Sequence, residues 1–203
     1  MSKFIEQLET RQLLSVSPVV TADARAVNAE SIAIKAQAGS LLPSIKAENN
    51  ALVSDVHSLH LASNGRRLVS LNHDEQVSAT AIKKHAATLQ KVESKAVATV
   101  VADLRKLSLK PGNADLEAVL SVDKLALQND TTNTTTALAS AYASGISLVQ
   151  ADLNDLAAAN PGHSTVQDAT AAESDTLSAD LTAANAANTI LASDVTLLLS
   201  DAG

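Results

Sequence analysis

Cysteine and tryptophan are missing from this 203-residue chain, and Phe4 and Tyr142 are its only aromatic residues. Without cysteine there is no disulfide framework, no thiol nucleophile and no thiolate site for zinc or an iron–sulfur cluster. Without aromatics the chain lacks the bulk on which β-sandwiches and most α/β enzymes build their cores. Turn formers are scarce as well, with six Gly and four Pro. No apolar run approaches the ~18 residues that a membrane-spanning helix needs, so no transmembrane span is expected. Basic residues almost vanish from the second half, where residues 111–203 hold one Lys against 12 acids. Residues 64–110 reverse this with 9 basic and 4 acidic side chains, and the formal net charge is −7. An acidic half does not suit a phosphate backbone, so no nucleic-acid partner is expected. The basic stretch reads as a solvated helix face.

Small aliphatic residues fill the gap. The chain has 38 Ala, 28 Leu, 17 Val and 7 Ile, with 38 Ser and Thr beside them. In residues 20–59 the apolar and small positions recur at Val20, Ala24, Val27, Ser31, Ile34, Ala38, Leu41, Ile45, Glu48, Leu52 and Val56, with Leu59 next. Spacings of four and three give one continuous helical seam. A second seam reads Ile82, Ala86, Leu89, Glu93, Ala96 and Val100. A third, less regular, runs through Leu116, Val119, Leu127, Leu138, Tyr142, Val149, Leu153 and Leu156. The fourth is Leu177, Leu181, Ala184, Asn188, Leu191, Val195 and Leu198. Strand alternation is not sustained anywhere.

Three turn signals, SNG at 63–65, KPGN at 110–113 and NPGH at 160–163, cut the chain into segments of about 18–62, 66–110, 114–159 and 164–201. Gly65, Gly112 and Gly162 are placed to act as left-handed helix caps. Each segment also carries an Asp in a similar phrase, at Asp55, Asp103, Asp152 and Asp194, as a degenerate internal repeat would. These acids are expected on the polar side of their helices. Two stretches threaten continuity: Gly39–Pro43, where proline removes a donor, and the Thr-rich 129–136. The unbroken seam favours one kinked helix through the first, and the second is read as a loosened patch or a break. The expected fold is all-α, a long up-down-up-down antiparallel four-helix bundle over residues 18–203, with a solenoid of helical hairpins as the alternative.

Chemical motifs are sparse. No Gly-rich phosphate loop, nucleophile elbow or Glu-x-x-His pair for a di-iron bundle occurs. No catalytic residue and no cofactor is therefore assigned. The one concentration of metal-ligand types is His57 and His60, three residues apart, with His73 brought back by a turn at Gly65. Imidazoles suit zinc or copper, but surface histidines flanking the seam explain them as simply.

Residues 4–15, FIEQLETRQLLS, resemble a short L-E-x-R-x-L-L-S segment of exported and surface proteins of Planctomycetes and related bacteria. The matching positions are Phe4, Leu8, Glu9, Arg11, Leu13, Leu14 and Ser15. The resemblance implies a sorting or processing signal in residues 1–17 and a secreted or cell-envelope location; a cytoplasmic protein is the alternative. Only Lys3 stands where the family carries a basic stretch. The expected function is that of a non-enzymatic spacer, scaffold or surface component that meets a protein partner or itself. An amphipathic protein on a lipid or granule surface is the second expectation.

Overall fold

The computed structural model describes residues 16–58 and 64–203. Four helices fill them: α1 (Pro18–Ser58), α2 (Gly65–Leu109), α3 (Ala114–Ala158) and α4 (Ser164–Asp201). There is no strand among the described residues. The helices pack against one another as an all-helical bundle, and their bounds follow the segments cut by the three turns. The segment resembling a sorting signal lies outside the described residues up to Ser15, as do Leu59 and His60.

The helix ends show why the chain turns where it does. Ser17 caps α1 by accepting the Val19 N–H on its hydroxyl at 3.2 Å, and Pro18 occupies the first helical position, where its missing donor costs nothing. Asn113 caps α3 through its side chain to the Leu116 N–H at 3.1 Å, and Asp115 and Glu117 lie in the positive first turn. Of the three turn glycines, only Gly112 adopts the left-handed conformation, at φ 75°. The other two do not cap as expected: Gly65 is already the first residue of α2, and after α3 the Asn160 side chain closes the helix by donating to the Leu156 carbonyl at 2.7 Å.

Neither suspected break is one. Helix α1 runs through Pro43, and α3 runs through the Thr-rich stretch. Pro43 sits on an exposed face, so the carbonyl it leaves without a partner can be hydrated. The threonines return their hydroxyls to the backbone, Thr131 to Leu127, Thr132 to Gln128 and Thr135 to Thr131. Those bonds satisfy the side chains without opening the helix.

Packing divides the chain into two compact units. Among the described residues, one takes those up to Ala33, Thr88–Thr135 and Thr189–Gly203. Its described core joins Val27, Leu89, Val100, Leu127, Leu191 and Leu198. The other takes Ile34–Ala87 and Thr136–Asn188. Its core joins Leu52, Leu71, Ile82, Tyr142, Leu153 and Leu177.

The strict heptad fails at identifiable places. After Ile45 the buried residue is Asn49, not Glu48; after Glu93 it is Val97, not Ala96; in α3 it is Leu120, while Val119 is exposed. Consecutive four-residue steps at Leu41–Ile45–Asn49 and Leu89–Glu93–Val97 explain the slips in α1 and α2. An α-helix drifts by about 20° per heptad, and an inserted step of four returns the seam to the core.

Candidate functional site

The interior of the second unit carries a polar layer built from three helices. Asn49 of α1, Glu75 of α2 and Glu173 of α4 are each at most 5% exposed. Asn49 donates from Nδ2 to Glu75 Oε2 at 2.9 Å. Glu75 and Glu173 meet through their carboxyl groups. Two carboxylates cannot both stay ionised in such a place, because charge removed from water is unfavourable and the like charges repel. Burial first, then Glu173, push Glu75 up to about 9, against a smaller opposing effect of the Asn49 amide. Burial also raises Glu173, while the hydrogen bond from Glu75 draws it down. One proton on Glu75, donated to the Glu173 carboxylate, accounts for both directions. Glu48 lies at the edge of this layer and is raised by its own burial and by Glu173 and Asp180.

The first unit holds a second layer. Glu93 of α2 is fully buried, with Thr131 Oγ1 3.0 Å from its Oε2 and Thr134 Oγ1 3.2 Å from its Oε1. Thr131 Oγ1 is also 2.9 Å from the Leu127 carbonyl. A hydroxyl carries one proton, so Thr131 divides its donation between the Glu93 carboxyl and the Leu127 carbonyl. Burial, the largest influence on Glu93, shifts it upward, while the hydrogen bonds from Thr131 and Thr134 draw it down.

Between neighbouring helices, acids face acids. Asp152 meets Asp74 and accepts from the Ser70 hydroxyl at 3.4 Å. Asp103 meets Asp123, and its ion pair with Lys106 at 2.6 Å holds it low while Asp123 is pushed up. Asp194 acts on Asp23 and Glu30, and Asp201 is hydrogen-bonded to Asp23. Asp103 and Asp152 of the repeat phrase therefore meet acids of a neighbouring helix, Asp103 being buried outright, rather than facing solvent as expected. At one end of the second unit, Asn64 Nδ2 donates to Asn160 Oδ1 at 2.8 Å, tying the start of α2 to the turn after α3.

Two surface concavities accompany these layers in the second unit. A groove of about 480 Å³ between α2 and α3 has a floor of Ser78, Ala81, Ala141 and Gly145 under Val77 and Leu148. A tighter cleft of about 230 Å³ is lined by Gln37, Ser40, Leu41 and Ser44 of α1, Asp180 of α4, and Tyr142, which reaches it from α3.

The histidines singled out from the sequence are not assembled. His57 and His73 are both exposed, His60 lies outside the described residues, and no set of three His, Asp or Glu side chains gathers as metal ligands among the described residues. Asn49 and Glu75 escaped the sequence reading, although Glu75 stands seven residues before Ile82 on its seam, and Glu173 is buried although an acid two residues from Asp175 suggests a solvated helix face. Family models, curated proteins and solved structures were each compared with the chain, and none matches.

Proposed function

We propose that the protein is a non-enzymatic structural or interaction protein, exported from a bacterial cell, that serves as a helical spacer, scaffold or surface component. The observation that carries this reading is the set of buried polar contacts that cross between particular helices: Asn49 to Glu75, Glu75 to Glu173, Asn64 to Asn160 and Glu93 to Thr131. Buried polar pairs penalise wrong partners and wrong registers more than they add to stability. They suit a bundle whose task is to keep one arrangement. No helix among the described residues is long and apolar enough to cross a membrane, and export rests on the N-terminal resemblance alone. Cell fractionation of the native host with sequencing of the mature N-terminus tests it. A processed protein in the envelope or medium is expected; an uncleaved protein confined to the cytoplasm overturns export.

A second reading has one observation in its favour. Val119, Val122 and Leu125 of α3 are 47–66% exposed, close together on one helix. They would let the protein rest on a lipid or granule surface. Co-flotation with liposomes is expected on that reading, and a protein that stays at the bottom of the gradient removes it.

A further inference from the structure

The geometry points to the cleft of Gln37, Ser40, Ser44, Tyr142 and Asp180 as a binding site for a small alkyl primary amine, held by its ammonium group. This goes beyond the structural reading and does not depend on export or assembly. The cleft is confined to the second unit, and its volume of about 230 Å³ equals that of about eight waters at ~30 Å³ each. That is room for an ammonium head with a short alkyl chain.

The chemistry of the wall selects the charge. Asp180 contributes a half-buried carboxylate, and Glu48 stands near enough to feel it. No Lys, Arg or His lines the cleft. An ionised carboxylate only accepts hydrogen bonds. Ser40 already spends its proton on the Gln37 carbonyl at 2.8 Å, so its oxygen faces the cleft as an acceptor. Gln37, Ser44 and Tyr142 can each accept as well as donate, so the wall combines several acceptors with one acidic group and no basic one. A primary ammonium is the complement, with three donors, one positive charge and no acceptor.

Tyr142 makes the site more than an acidic crevice. Its ring is 2% exposed, and it is the one aromatic side chain among the described residues. A residue on α3 that lines a cleft between α1 and α4 has crossed the core to reach it. An Ala- or Leu-filled core would have been closed there with an aliphatic side chain. Tyr142 instead lines the cleft with a phenol, which is shifted upward by burial first and then by the charge of Asp180. Leu41 offers the apolar wall for the alkyl chain.

The test is a titration of the full chain with butylamine at pH 7 and low ionic strength, followed by backbone amide NMR shifts, with butan-1-ol as the uncharged match. Saturable shifts confined to residues near 37–44, 142 and 177–184 are expected with the amine and none with the alcohol. Asp180→Asn should weaken binding at least tenfold, and Ser44→Ala and Tyr142→Phe severalfold, with unchanged circular dichroism. Asp175→Asn, an exposed acid on the same helix, should leave affinity unchanged. Absence of saturable shifts in the wild type, equal shifts with butan-1-ol, or equal loss in Asp175→Asn and Asp180→Asn overturns the assignment. Should Asp180→Asn not fold, the Ser44→Ala result decides: unchanged affinity overturns the site.

Discussion

Replacing Glu75 by Gln removes a titratable group from a buried polar layer while keeping its shape. The carboxamide oxygen introduced there can accept from Asn49 as Glu75 does at 2.9 Å, and the new amide can donate to Glu173 as the protonated acid does. Only the proton linkage disappears. Glu75 has its ordinary value of 4.5 in the unfolded chain and about 9 when folded. A raised carboxyl pKa means that the folded protein holds a proton which the unfolded chain has lost. The associated stability is complete below about 4.5 and drains away as pH rises toward 9. One proton corresponds to about 1.4 kcal/mol per pH unit. Between pH 6 and 8 the wild type should therefore lose roughly 2–3 kcal/mol more than Glu75→Gln. The other raised acids, among them Glu48, Glu93 and Asp152, remain in both proteins and largely cancel in the difference. Urea unfolding followed by far-ultraviolet circular dichroism at pH 5, 6, 7 and 8 measures it. The two curves should nearly meet at pH 5 and diverge above it, with the variant the more stable. Parallel curves across that range would refute a proton held on Glu75.

Three further substitutions probe other parts of the fold. Gly145→Ala places a Cβ 2.8 Å from the Ser78 Cβ, so it should cost on the order of 1–3 kcal/mol by urea unfolding, and Ser78→Gly should restore most of the loss. Pro43→Ala restores a helical donor at an exposed position and should raise stability by up to about 3 kcal/mol; an unchanged or lowered midpoint would show that α1 needs the proline. Thr131→Val removes the hydroxyl that contacts Glu93 and should cost about 1–3 kcal/mol at pH 7, with a smaller cost for Thr132→Val, whose side chain is exposed.

The parts of the fold legible in the sequence were those set by periodicity and punctuation. The runs from Val20 to Ile45 and from Ala184 to Leu198 are buried at the positions their spacing assigns. The KPGN and NPGH turns end α2 and α3 within a residue or two of the expected places. The polar interior was harder to read for a physical reason. A heptad template carries the seam by alternating threes and fours, whereas a straight helix needs an occasional extra four. In α1 and at Glu93 that step moved the buried position by one residue, from Glu48 to Asn49 and from Ala96 to Val97. Such a slip converts an apparent surface amide into the centre of a buried layer. Asp103 and Asp152 of the repeat phrase were misplaced for a related reason: composition makes acids look solvated, while their meetings with Asp123 and Asp74 depend on which helices become neighbours.

The scarcity of aromatics and the buried acids belong together. A core of Ala, Val and Leu leaves narrow spaces between helices, and apolar burial at ~25 cal/mol per Å² discriminates poorly between registers that differ by one turn. Sliding α1 one turn past α2 would exchange one small residue for another at most positions. It would not do so at Asn49, whose amide would leave Glu75, and sliding α3 past α2 is opposed in the same way at Gly145, where only glycine admits Ser78. Those two contacts lie in the same unit, on different helix pairs, and each becomes unfavourable after a shift of one turn. Register in a bundle of small residues is thus enforced by its few irregular positions, and the carboxyl pair at Glu75 and Glu173 extends the constraint to α4.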